Sequence, residues 1–176
     1  MTCWPQDELS GCWVVVDAFT RECLALEVDT SFASRRVTRV LEEIVEDRGK
    51  PQSIRCDNGP ELTSRHFLSW CLEQQIELVH IQPGKPTQNA RVESFHGKLR
   101  EECLRVSWFH NLFDARRKIA AWQRDYNEQR PHSSLNYRTP AEFAAMNCGK
   151  DADCVRLENA AGVSHFPTAS AATRVG

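Results

Sequence analysis

Two apolar runs near the start of the chain, CWVVVDAF and ECLALEVD, meet at a Thr-Arg pair, a pattern that predicts a β-hairpin. In the stretch that follows, SFASRRVTRVLEEIVEDRGKP, Val37, Val40, Leu41, Ile44 and Val45 recur at the spacing of one helix face. Gly49 and Pro51 stop that helix, because glycine accepts the left-handed turn at a helix end and proline cannot continue it. QSIRCD reads as a short strand ending at Asp57. Ser64 offers a side-chain oxygen to the start of a helix through RHFLSWCLEQQ, with Phe67, Leu68 and Cys71 inward. IELVHI is a further strand.

QPGKPTQN holds two prolines and a glycine in eight residues and is a loop. Helices are expected over residues 90–104 and 113–127, and TPAEFAAM gives a last short one with Thr139 as cap and Pro140 at its first position. From residue 147 the chain is rich in Ala, Ser and Gly without periodicity, so residues 147–176 are expected to be an unstructured tail. A hairpin followed by helix, strand, helix, strand and helix is a mixed α/β pattern, with helices covering both faces of a small sheet.

Composition narrows the class. At 176 residues, 41% hydrophobic and 26% charged, the chain is long enough for one domain with its own core. No apolar run approaches the length of a membrane span, and the first residues lack the pattern of a signal peptide, so a cytoplasmic protein with no membrane partner is expected. The eight cysteines, at 3, 12, 23, 56, 71, 103, 148 and 154, include no Cys-x-x-Cys, and reduced, buried thiols are expected rather than a zinc site or disulfide framework. The net charge of −2 argues mildly against a nucleic-acid binder. Its distribution argues the other way: between Lys85 and Lys118 eight Lys/Arg stand against four acids, a local 8 − 4 = +4. A solvated helix face would show the same excess.

Two acids are candidates for chemistry. A strand that ends on Asp57 before Asn-Gly puts a carboxylate at the carboxyl edge of a sheet, where α/β proteins place their sites, although Asp-Asn-Gly is equally a good turn. Glu93, near the start of the 90–104 helix, is by itself as readily a partner of the helix dipole. Between them lie 93 − 57 − 1 = 35 residues, reading helix, strand, proline-rich loop and helix start.

With that spacing the motifs VVVDAFTRECLALEVD, RGKPQSIRCDNGPELTS, IQPGKPTQNARVESFHGKLREECL and AWQRDYNEQRPHSSLNYRTPAEF resemble the bacterial insertion-sequence transposases whose catalytic core is related to retroviral integrases, along the chain to about Met146. The resemblance implies a ribonuclease-H-like mixed sheet flanked by helices over residues 1–110, a C-terminal helical extension over 111–146, and metal-dependent cleavage and strand transfer of DNA. It implies an Asp-Asp-Glu triad holding two Mg2+ or Mn2+ ions, with Asp57 and Glu93 as metal ligands. Hard cations take oxygen donors, and two of them can activate the attacking oxygen and stabilise the leaving one. The implied partners are DNA, as element ends and target, and other transposase chains in an oligomer.

Residues 89, 93, 96, 97, 100 and 104 share one side of the expected helix, with Lys98 on an adjacent face. By resemblance Asn89, Lys98 and Arg100 contact DNA, and Gly97 lets the backbone come close. His96 stands where the family commonly has Asn. For Arg130 and His132 a structural contact is expected in preference to a DNA contact. The family's first triad Asp, on a central strand, is expected ahead of Met1; Asp7 and Asp17 are poor replacements, Asp7 serving only if a deletion has drawn the first strand forward. A helix-turn-helix is likewise absent. The chain is therefore expected to be a truncated or frame-interrupted core, inactive alone. The alternative is a non-catalytic remnant that binds DNA or co-assembles with an intact transposase. A Cys- or His-based hydrolase finds no nucleophile–base spacing.

Overall fold

The run CWVVV is apolar at every position because both of its faces are covered. In the computed structural model, which describes residues 11–81, 90–147 and 156–161, it lies in strand β1, Gly11–Asp17, buried along its whole length. Successive side chains leave a strand on opposite faces. Cys12, Val14 and Val16 enter one core cluster, and Trp13 and Val15 enter the other. Strand β2, Cys23–Asp29, pairs antiparallel with β1, with a register shift between Val15 and Val16.

The hairpin connection is longer than a Thr-Arg turn, and Asp17 is the reason. Its Oδ1 accepts from the Phe19 and Thr20 N–H groups at 2.7 and 3.1 Å, and its own N–H donates to the Glu22 carbonyl at 2.9 Å. Arg21 takes φ 65° to close the loop. Asp17 is thus buried as a turn-forming side chain. Asp7 lies outside the described residues.

On one face pack α1, Ser34–Arg48, and α2, Arg65–Glu73. α1 buries Val37, Leu41 and Ile44 and ends at Gly49, whose φ of 87° and N–H bond to the Val45 carbonyl are the expected glycine stop. The Ser64 hydroxyl accepts from the Phe67 N–H at 3.2 Å, as its position predicted. The inward set of α2 is Phe67, Trp70 and Cys71; Leu68, expected inward, is 39% exposed. Position 70 lies three after Phe67 and takes the core-facing place, with its indole N–H donating to Glu42 at 3.0 Å.

On the other face α3, Ala90–Leu99, continues into a π-helical turn, Arg100–Leu104, and α4, Leu112–Glu128, crosses beside them. Val92, Phe95, Leu99, Ile119, Trp122 and Tyr126 join Val14 and Val16 in one cluster. α4 also closes the sheet edge. Asn127 Oδ1 accepts from the Cys23 N–H at 2.9 Å, and Asn127 Nδ2 and Gln123 Nε2 donate to the Cys23 carbonyl at 3.0 and 2.8 Å, occupying backbone groups of an edge strand. α5, Pro140–Asn147, opens with a capping box: Glu142 N–H donates to Thr139 Oγ1 at 3.2 Å while Thr139 N–H donates to Glu142 Oε2 at 2.9 Å.

Strands β3, Ser53–Cys56, and β4, Glu77–His80, complete the parallel half of the sheet. The sheet order is β2-β1-β5-β3-β4, and its centre corrects the sequence reading. β5 is Arg156–Ala161, inside the stretch expected to be unstructured, and it pairs antiparallel with β1 and parallel with β3. RLENAA has no alternation and no β-branched or aromatic residue. Tertiary pairing decides its state: β1 and β3 each present a row of backbone donors and acceptors that must be satisfied, and β5 satisfies both. The rest of 147–176 beyond Asn147 lies outside the described residues.

Cys12, Cys23, Cys56, Cys71 and Cys103 are free and buried, as expected. Burial pushes the Cys12 and Cys56 thiols up to about 12 and Cys71 to about 11, which removes them as nucleophiles. Among the described residues no helix is long and apolar enough to cross a membrane.

Candidate functional site

Asp57 follows the last residue of β3, at the carboxyl end of the parallel pair β3–β4. The Gly59 N–H donates to Asp57 Oδ1 at 3.0 Å, the short-range bond that Asp-Asn-Gly favours. The Gly59 carbonyl in turn accepts from the Leu62 and Thr63 N–H groups at 3.0 Å each. Asn58 Nδ2 donates to the Ile81 carbonyl at 3.4 Å and ties this loop to the end of β4. The turn reading and the site reading of Asp57 are therefore compatible: one carboxylate oxygen shapes the loop, and the loop fixes the carboxylate at the sheet edge.

His80 is the neighbour the sequence reading passed over. It pairs in register with Cys56 at the end of β4, and its Nδ1 lies 3.4 Å from the Asp57 carbonyl and 3.6 Å from Cys56 Sγ. Two parallel strands that end together bring their last residues together, so the His in IELVHI was the available signal.

Glu93 is exposed in the first turn of α3, a helix held down by Val92, Phe95 and Leu99 and lying beside β5. The shared side drawn from 89 to 104 holds in part. Glu93 is exposed, His96, Gly97 and Arg100 are half-buried, and Leu104 is core. The π turn accompanies the drift: the Arg105 N–H reaches back five residues to the Arg100 carbonyl at 2.9 Å, and within this turn Cys103 and Leu104 are the buried residues. Asn89 lies outside the described residues.

The middle of this flank is unusual in two respects. A Cβ added at Gly97 would meet no described atom within 4 Å, so among the described residues nothing demands glycine there. The His96 Nε2 is buried without a hydrogen-bond partner, and burial, with Arg100's charge second, lowers its pKa to about 4. At neutral pH the ring is uncharged.

Lys98 stands on the opposite flank, exposed, with its ammonium 5.9 Å from the centre of the Tyr126 ring. Arg130 is engaged within the fold: it pairs with Glu102 and, at 2.8 Å, with Asp125, and it lies 5.3 Å over the Trp122 ring. The structural role expected of it is what the contacts show. His132 packs edge-on against Tyr126 at 5.0 Å and bridges to Arg138.

Asp57 and Glu93 are hard oxygen donors of the kind Mg2+ takes, and such sites use one or two carboxylates completed by waters and substrate phosphate. The donor set fits the chemistry of that ion. Among the described residues, however, no group of three or more His, Cys, Asp or Glu gathers to hold a metal. On the central strand, Glu158 stands in register with Val16 on one side and Arg55, two residues before Asp57, on the other.

The fold is matched in known proteins. Two family profiles, each described as an integrase core domain, match residues 2–86 and 74–140. The 31.7 kDa protein of insertion element IS407 from Burkholderia multivorans is 52% identical over 136 residues, 77% of this chain and 49% of that protein. The transposase for insertion sequence element IS904 of Lactococcus lactis is 28% identical over 141 residues, 76% of this chain and 54% of that protein. The chain thus spans about half the length of these relatives. Among solved structures, the HTLV-2 integrase catalytic core domain in complex with magnesium superposes with a TM-score of 0.60 at 19% identity, covering 81% of this chain and 90% of that one, which establishes the ribonuclease-H-like fold. The chain belongs to the integrase core domain family, as a bacterial insertion-sequence transposase catalytic core.

Proposed function

We propose that this chain forms the catalytic domain of a DNA transposase, in which Asp57 and Glu93 hold divalent Mg2+ or Mn2+ for cleavage and transfer of phosphodiester bonds. The observation that carries the reading is the placement of Asp57 at the carboxyl end of β3, with Glu93 in the first turn of the helix beside the central strand. When bound, the metal supplies charge neutralisation at the phosphate and activation of an attacking oxygen. The protein's own part is positional. The Gly59 amide and the Asn58–Ile81 bond hold Asp57 at the sheet edge. Arg100, on the flank of Glu93, and Lys98, across the helix, bind DNA phosphates and fix register without reading bases. The DNA comprises element ends and target, assembly is with further transposase chains, and the compartment is the one that holds bacterial DNA, the cytoplasm.

Incubation of the purified chain with Mn2+ and labelled element-end DNA tests this. Metal-dependent nicking or strand transfer that disappears in Asp57→Asn and Glu93→Gln supports it; nicking that survives both refutes the assignment of the ligands. The alternative is a DNA-binding or co-assembling module without catalysis. DNA binding unchanged in Glu93→Gln, with no metal-dependent nicking by the parent chain, selects it.

A further inference from the structure

The parallel strands β3 and β4 end side by side, and the residue that ends β4 is an imidazole. Cys56 and His80 are partners in register, each the last residue of its strand. The pairing extends one residue further, because the Ile81 N–H donates to the Cys56 carbonyl at 2.9 Å. His80 is therefore held between two points of attachment to β3. It is half-buried there, with Nδ1 3.4 Å from the Asp57 carbonyl oxygen and 3.6 Å from Cys56 Sγ. The ring nitrogen thus meets the main chain of the candidate metal ligand itself.

That contact selects the nitrogen that carries the proton. A carbonyl oxygen only accepts, so the bond exists when Nδ1 bears hydrogen. Cys56 Sγ, a weak acceptor, shares the same hydrogen without conflict. The other tautomer would aim the Nδ1 lone pair at a carbonyl oxygen, two negative partial charges face to face. Three restraints then converge on Asp57 and the residue after it. The Gly59 N–H donates to Asp57 Oδ1 at 3.0 Å, Asn58 Nδ2 donates to the Ile81 carbonyl at 3.4 Å, and His80 Nδ1 donates to the Asp57 carbonyl. The first acts on the carboxylate, the second on the side chain of Asn58, and the third on the peptide group that joins the two residues. When that peptide group turns, the carboxylate turns with it. A metal site works only when its ligands stay within about 0.5 Å of the required geometry, so a partner on the backbone of a ligand has a consequence at the ion.

We propose that His80 is a positioning residue for the metal site: with its proton on Nδ1 it holds the Asp57 carbonyl and thereby sets the direction of the Asp57 carboxylate. The inference rests on the reading of Asp57 as a metal ligand and adds to it a residue from another strand. Loss of an outer partner of a metal ligand costs about 10–100-fold in metal affinity. A bond to the ligand's backbone acts less directly than one to its carboxylate, so the lower end, about tenfold, is expected for His80. The position of the donor decides, not the bulk of the side chain. Asn carries its amide nitrogen one bond beyond Cγ, as His carries Nδ1, whereas Gln carries it two bonds beyond, as His carries Nε2.

Titration of the purified chain with Mn2+, read by the paramagnetic resonance of the free ion, is the test, and it needs neither DNA nor turnover. The parent should bind Mn2+, and Asp57→Asn should lose that binding. His80→Gln should weaken it about tenfold, while His80→Asn stays within about threefold of the parent. The two variants should melt alike, so that the difference in affinity reports the bond and not the fold. Nitrogen-15 spectra of the parent without metal, with the imidazole neutral, should place the His80 proton on Nδ1. His80→Gln that binds Mn2+ like the parent, or a proton found on Nε2, overturns the role of His80 and leaves Asp57 a ligand. Equal losses in His80→Asn and His80→Gln reduce His80 to packing and overturn the role as well. Mn2+ binding that survives Asp57→Asn, or a parent that binds no Mn2+, overturns the ligand assignment and the inference together.

Discussion

Leu157→Pro tests the least expected element of the fold. Leu157 pairs with Asp17 of β1 on one side and with Ile54 of β3 on the other, in the middle of the sheet. Proline has no N–H to give to either ladder, and its ring crowds the neighbouring strand, which is why it is confined to sheet edges and bulges. A missing bond that leaves a partner carbonyl unsatisfied costs about 1–3 kcal/mol, and the ring clash adds to this, so a destabilisation of about 3 kcal/mol is expected. That is a large part of the roughly 5–15 kcal/mol typical of a domain. For a chain of this length it should lower Tm by roughly 6–12 °C. Differential scanning calorimetry gives the shift. Amide hydrogen exchange locates it, with β1 and β3 losing protection while α2 keeps most of its own. A Tm within about a degree of the parent, with β1 and β3 still protected, would refute the placement of residues 156–161 between them.

Gly97→Ala should raise stability by about 0.5–1 kcal/mol, because alanine is the better helix former and the added Cβ meets no described atom within 4 Å. If α3 lies against DNA on this flank, the same methyl weakens DNA binding; a higher melting temperature with unchanged DNA affinity removes Gly97 from that interface. His96 makes stability pH-dependent. Its folded pKa of about 4 lies below the ordinary imidazole value, so between about 6.5 and 4 the unfolded chain binds the proton and the folded chain does not. Stability is therefore reduced as pH falls through that window, by an amount on the order of 3 kcal/mol at most. His96→Asn should flatten the profile in urea melts between these limits; an unchanged slope would mean that another group carries it.

Legibility followed the source of each element's stability. β1 was readable as a continuous apolar run with both faces covered, and β2, α1, α2, α3 and α4 because each buries an apolar face: Val37, Leu41 and Ile44 in α1, or Val92, Phe95 and Leu99 in α3. Caps were readable for the same local reason, and the Ser64 and Thr139 bonds lie where the residue types put them. β5 was not, because its strand character comes from its neighbours' unsatisfied backbone, a demand that no feature of RLENAA records. Leu68 failed differently: every position of α2 from Phe67 to Leu72 except Ser69 is apolar, and only the packing against α1 decides which of them turn inward.

The candidate site divides along the same line. Asp57 and Glu93 could be picked out by spacing, and the structure adds that Asp57's loop is braced by Gly59, Asn58 and Ile81. What spacing along one helix could not supply is which residues from elsewhere stand beside it. Arg21 comes from the β1–β2 loop and His132 from the turn after α4, and they meet Lys98 only because Phe95, Trp122 and Tyr126 pack α4 against α3, with ring centres 4.9 to 5.5 Å apart. That aromatic packing fixes the extension against α3. A truncation such as Trp122→Ala should therefore loosen this core and lower Tm, whereas Lys98→Gln, on the exposed face of α3, should leave Tm close to that of the parent.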